Sequence, residues 1–167
     1  MRKIQGCIIG NNSSASAESL KTAYQTGTLF AELGITLICG GRSGIMEAAC
    51  KGALAKNGLT VGILPDDSLE SANPYCTIVI PTGIGYARNM VNVLSGDFVV
   101  AIGGGSGTLS EMSYAWQFGR KIYAFTLFDG WAKELAGKKI DDKYPYTIIP
   151  VNSLDDLKGK LQREYGL

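Results

Sequence analysis

The chain contains no histidine in 167 residues. That absence removes Ser-His-Asp and Cys-His nucleophile systems, imidazole acid–base catalysis and histidine-ligated zinc. Any chemistry falls to carboxylates, Arg, Lys, Tyr, Ser or Cys. Charge of one sign is lacking too. Sixteen Lys and Arg stand against fifteen Asp and Glu, for a net charge of +1. A balance this even leaves no footprint for a nucleic acid or a membrane surface, so neither is expected as a partner. No stretch approaches the ~20 apolar residues of a membrane helix. The apolar run after Arg2 and Lys3 is only a strand long, so no targeting segment is expected. Cysteine is sparse: Cys7, Cys39, Cys50 and Cys76 match no zinc spacing. Three of them lie in apolar or helical patterns, where a free cysteine is a small buried hydrophobe. Such usage fits a reducing cytosol, and a soluble cytoplasmic protein is expected.

What is present is an ordinary globular composition, 46% apolar and 19% charged, over one domain's worth of chain, 1–167. The pattern centres on Phe98-Val99-Val100-Ala101-Ile102, followed at once by Gly103-Gly104-Gly105-Ser106-Gly107-Thr108-Leu109-Ser110-Glu111. A β-branched run, apolar on both faces, predicts a buried parallel strand. Four glycines in the next five residues are more than a connection needs. They let the backbone approach a ligand, and the helix behind them offers unpaired N–H groups as an anion seat.

Further strands are predicted at 3–10, 35–39, 59–64, 77–80, 122–127 and 147–151. Helices are expected at 17–33, 45–56, 86–94, from the end of the 103–108 turn to 118, 129–136 and 153–165, with 66–75 as an irregular loop. Ser153, three residues before Asp156, reads as an N-cap. This alternation predicts an α/β fold, Rossmann-like and doubly wound, with a mostly parallel sheet and helices on both faces. Ligands of such sheets sit beyond the carboxyl ends of the strands. Four turns fall there: 10–14, 40–44, 82–85 and 103–108. All four are expected to converge on one crevice.

The first turn has only Gly10, so the dinucleotide fingerprint is absent, as is a P-loop. A phosphate monoester or nucleotide on the turns after the second and fifth strands, 40–44 and 103–108, is the better expectation. Arg88 lies early in a helix whose start should face the crevice, and its guanidinium matches phosphate or carboxylate. Glu111 shares a helix face with Gly107 and Thr108. A carboxylate there can hold ribose hydroxyls, a pterin amino group or a developing cation. Arg42 is a third candidate for anion contact. Tyr114, Trp116, Phe118 and Tyr123 read as core or subunit interface.

The stretches Gly40-Gly41-Arg42-Ser43-Gly44-Ile45-Met46-Glu47-Ala48, Thr82-Gly83-Ile84-Gly85-Tyr86-Ala87-Arg88-Asn89 and Gly103 to Glu111 resemble the molybdenum cofactor carrier proteins and their close bacterial relatives. These sit within the group, often mislabelled lysine decarboxylases, that includes the Lonely Guy phosphoribohydrolases. The similarity runs over nearly the whole chain. For the group it implies a Rossmann-like domain assembled into homodimers or homotetramers. For the carriers it implies a cleft holding molybdopterin-type cofactor, with molybdenum enzymes as recipients. The residues it implicates are Gly40, Gly41, Arg42, Ser43, Gly44, Thr82, Gly83, Arg88, Gly103, Gly104, Gly105, Ser106, Gly107, Thr108 and Glu111. No protein ligand to the metal is implied.

The enzymes of the group hydrolyse the N-glycosidic bond of nucleoside 5′-monophosphates. Their motif reads P-G-G-x-G-T-x-x-E behind an Arg-bearing helix. Glu111 matches their catalytic carboxylate and Arg88 their arginine. Gly103 stands where they carry proline, and Arg42 where they usually carry glycine. The carrier-like branch shares the G-G-R-S wording. A carrier is therefore the first expectation, a phosphoribohydrolase the alternative, and a nucleotide-sensing module a third reading.

Overall fold

The computed structural model describes residues 2–167. The strands are β1 (Gln5–Gly10), β2 (Thr36–Cys39), β3 (Thr60–Leu64), β4 (Ile78–Pro81), β5 (Phe98–Ile102), β6 (Lys121–Phe125) and β7 (Ile149–Val151). The helices are α1 (Ala17–Glu32), α2 (Ile45–Leu54), α3 (Arg88–Ser95), α4 (Ser106–Gln117), α5 (Trp131–Leu135) and α6 (Leu154–Tyr165). All strand pairs are parallel, in the order β4-β3-β2-β1-β5-β6-β7. The chain is thus a doubly wound Rossmann-like α/β fold. Among the described residues no helix is long and apolar enough to cross a membrane.

Alternation along each central strand divides the core into two layers, because successive strand side chains point to opposite faces. Ile8, Leu37, Phe98, Val100 and Tyr123 pack with Ala23 and Phe30 of α1, Ala49 and Ala53 of α2, and Leu157 and Leu161 of α6. Cys7, Ile9, Val99, Ala101 and Ala124 pack with Val93 of α3, Met112, Ala115 and Trp116 of α4, and Ala132 of α5. Helices α1 and α2 touch backbone to backbone. A Cβ on Gly52 would fall on the Tyr24 carbonyl, and one on Gly27 on the Ala49 carbonyl.

Local chemistry sets the boundaries. Ser16 caps α1 by accepting from the Ser19 amide (3.2 Å), and Ser153 caps α6 through the Asp156 amide (3.1 Å). The helix expected at 86–94 opens instead with a 3₁₀ turn, Gly85–Ala87, so the regular α3 begins at Arg88. The expected loop 66–75 contains a 3₁₀ turn, Leu69–Ser71, capped by Ser68. The helix expected from 129 starts at Trp131, because Gly130 at φ +130° lies against the Gly103–Gly104 backbone. Trp116 and Tyr123 are buried, whereas Tyr114 and Phe118 stack on the outer side of α4 (6.4 Å between centroids).

Candidate functional site

The strand order reverses between β1 and β5, and their register pairs Gly10 with Ile102. The turns that follow these two strands therefore emerge side by side at the carboxyl edge, where open α/β sheets bind ligands. Asn11 joins them: its Oδ1 accepts the Gly104 amide. Gly103 (φ +61°) and Gly104 (φ +104°) take conformations that a side chain would strain. Their carbonyls accept the Ala132 amide (3.0 Å) and the Trp131 amide (3.1 Å), which caps α5. Gly103 and Gly104 are therefore committed to holding the fold. Helix α4 then starts at Gly105 with no side-chain cap. The amides of its first turn are the donors left for an anion, and the helix dipole adds partial positive charge.

A cavity of about 340 Å³ opens over this helix end. It is lined by Gly10, Asn11, Asn12 and Ser14 after β1, by Met46 of α2, by Tyr86, Arg88 and Asn89, and by Gly105 to Thr108 with Glu111. Its size lies at the lower end of small-molecule sites. Arg88, the first residue of α3, is buried, yet its Nε has no hydrogen-bond partner. No ion pair among the described residues includes it. Burial pulls its pKa below the usual guanidinium value, against the charge of Glu111. The guanidinium passes over the end of β2, where a Cβ on Gly40 would coincide with Nη1. Gly40 is glycine because the arginine needs that space.

Glu111 faces the same cavity from α4, and Asn92 Nδ2 donates to its Oε1 (3.0 Å). Burial pushes the carboxyl up to about 7, outweighing the Asn92 hydrogen bond and the Arg88 charge that pull it down. Near neutral pH it thus exists in both forms and can donate or accept a proton. Asn89 completes the α3–α4 contact by donating to Ser110 Oγ (2.9 Å).

The structure gathers Arg88, Gly105, Ser106, Gly107, Thr108 and Glu111 around one space, with Gly40 packed beneath the Arg88 guanidinium. Arg42 pairs with Asp66 (3.2 Å) and lines a separate groove with Ser43 and Asn73. The Gly41 carbonyl accepts the Asn73 amide (2.8 Å), and Gly44 (φ +71°) is the turn into α2. The Thr82 hydroxyl donates to the Leu64 carbonyl (2.6 Å), and the Gly83 amide to the Asp66 carbonyl (2.9 Å). The expected convergence of four turns is thus corrected. The turns after β1 and β5 share the cavity with the start of α3, while Arg42 and Ser43 of the turn after β2, and the turn after β4, are turned to other partners. The reason is strand order, since β2 and β4 lie on the far side of β1. Turn 10–14 was expected at the crevice, but its wall residues Asn11 and Asn12 were not singled out, nor was Asn92, which bonds Glu111 behind the wall. For Asn92 the signal was there: it follows Arg88 by four residues and so shares its helix face.

A family model described as the SLOG cluster4 family matches residues 3–157. An uncharacterized protein of Archaeoglobus fulgidus is 41% identical over 122 residues, covering 73% of this chain and 80% of that protein. The solved molybdenum cofactor binding protein from the phototrophic bacterium Rippkaea orientalis is 35% identical with a TM-score of 0.88, over 98% of each chain. The molybdenum cofactor carrier protein of Chlamydomonas reinhardtii is 27% identical with a TM-score of 0.87, over 99% of this chain and 100% of that one.

Proposed function

The chain belongs to the SLOG cluster4 family, and from that premise we propose that its crevice binds and carries molybdenum cofactor, a phosphorylated pterin. One observation carries this reading. A buried guanidinium with an orphaned Nε stands over the same cavity as an uncapped helix N-terminus. Buried polar groups are normally satisfied, so two unmet sets of donors in one cavity ask for an anion of at least two acceptor groups. The terminal phosphate sits on the α4 amides at Ser106, Gly107 and Thr108, and Arg88 takes further negative charge. The wall carries no thiol or imidazole, so the molybdenum stays on the cofactor's own sulfurs. Such a carrier works in the cytoplasm and hands its cargo to molybdenum enzymes.

Titration of the apo protein with molybdenum cofactor, followed by fluorescence or calorimetry, tests this. Gly105 has open space where a Cβ would stand and an ordinary φ of −101°. Gly105→Leu is therefore expected to keep the fold and the melting temperature while it plugs the cavity and abolishes binding. Undiminished binding in that variant would sink the assignment of the cavity.

A second reading has its own observation, the Glu111 carboxyl poised near 7 beside Arg88. In a nucleoside 5′-monophosphate phosphoribohydrolase that carboxyl supports an oxocarbenium-like ribose while Arg88 orients the phosphate or base. Release of free base from nucleoside monophosphates, lost in Glu111→Gln, would establish it in place of a passive carrier.

We also propose that the chain works as a homodimer or homotetramer. Ile84, Tyr86, Leu94 and Phe118 are exposed on the α3–α4 side, with Tyr86 at the cavity mouth. A second copy that covers this side would bury them and close the cavity's open wall.

A further inference from the structure

Away from the cavity, three of the four cysteines meet. Cys39 ends β2, Cys50 lies in α2, and Cys76 lies two residues before β4. The Cys39 and Cys50 sulfurs are 3.4 Å apart and those of Cys50 and Cys76 3.9 Å, with all three within 4.8 Å of one another. A point equidistant from sulfurs so placed lies about 2.3 Å from each, the length of a metal–thiolate bond.

We propose that Cys39, Cys50 and Cys76 form a trigonal thiolate site for Cu(I). Contacts that do not involve the thiols already hold the triangle. Asn73 ties the Cys76 loop to the second glycine turn, through its amide to the Gly41 carbonyl (2.8 Å) and its Nδ2 to the Arg42 carbonyl (3.1 Å). Its own carbonyl accepts the Cys76 amide (3.3 Å). Gly62 leaves room for the third sulfur: a Cβ there would fall 2.6 Å from Cys76 Sγ. Cys39 and Cys50 are fully buried and Cys76 is half-buried, so the three sulfurs have little water around them. Lys51, next to Cys50, holds its ammonium over the ring of Tyr75, next to Cys76 (5.6 Å to the centroid), a further tie between the two segments.

The donor set selects the metal. Soft thiolates favour Cu(I) and Zn(II) among the common ions, but structural zinc takes four ligands. No histidine or carboxylate joins the three sulfurs to supply a fourth. A three-coordinate ion without directional d-electron demands fits the triangle.

The test uses the full chain, reduced and kept free of oxygen. It is titrated with Cu(I) against a competing Cu(I) chelator, and X-ray absorption then counts the sulfur neighbours. About one copper per chain with about three sulfurs near 2.3 Å is expected. Cys76→Ala, at the half-buried corner, is expected to fold normally by circular dichroism and to lose at least about tenfold in copper affinity. Cys7→Ser is expected to keep it, which shows that these three sulfurs, and not any buried thiol, hold the copper. Equal copper binding by Cys76→Ala, or displacement of Cu(I) by equimolar Zn(II), would each overturn the assignment.

Discussion

Arg88 sits in a position that the ligand-free fold does not repay. Its charge is buried, its Nε is orphaned, and no carboxylate pairs with it. Replacing an unpaired buried charge by an apolar side chain of similar length is neutral or stabilising. Arg88→Met is therefore expected to hold or raise the melting temperature of the free protein. The same change should weaken cofactor binding by roughly 10- to 100-fold, the worth of charge-assisted hydrogen bonds. Thermal melts beside ligand titrations check both halves. Glu111 gives a pH signature whose sign follows from burial. Its folded-state pKa, about 7, lies above the ordinary 4.5. The folded chain thus holds this proton more tightly than the unfolded chain does. The associated stability is fully present below about 4.5 and is lost as pH rises through 7, by about 3 kcal/mol in all. Glu111→Gln keeps an acceptor for Asn92 and removes the titration. Its stability advantage over the parent is expected to be smallest below about pH 4.5 and largest at about pH 8, read by urea denaturation at each pH. Anion affinity in the parent should fall over the same interval, since the ionised carboxylate repels the ligand.

Among the elements, α1 and α2 are joined through glycine. Gly52→Ala places a methyl group on the Tyr24 carbonyl, and backbone cannot give way as a flexible side chain does. Overpacking of this kind costs about 1–3 kcal/mol, or roughly 2–10 °C in melting temperature for a chain of this length. Cofactor affinity should not change, because neither helix presents its glycine to the cavity. Most elements were legible in the sequence, since the strands are unbroken apolar runs and the helices carry caps such as Ser16 and Ser153. The turn after β5 was legible as well, because only a ligand or a tight turn explains so much glycine. Strand order was not, because periodicity says which face of a strand is buried and nothing of its neighbours. That gap put Arg42, Thr82 and Gly83 in the expected crevice, when side-by-side exit from β1 and β5 decides membership. The cysteine triangle was hidden for the same reason: its corners lie 11 and 26 residues apart and meet only through the crossover.

For the molecule as a whole, the exposed aromatic and aliphatic groups on the α3–α4 side set an expectation of self-association. Phe118→Asp adds a charge where Phe118 stacks on Tyr114, and should reduce the mass seen by light scattering from the oligomer to one chain. An unchanged mass would place the interface elsewhere. The glycine turn has a further bearing on the whole molecule, because the Gly104 carbonyl receives the Trp131 amide while the neighbouring residue opens the anion seat. The chain has only two tryptophans, and the other, Trp116, is buried with its indole bonded to Asp141 (2.7 Å). Trp131 is 39% exposed at the start of α5. With Trp116 changed to Phe, occupation of the proposed anion seat is expected to change the emission colour and polarisation of the remaining indole, read without any added dye.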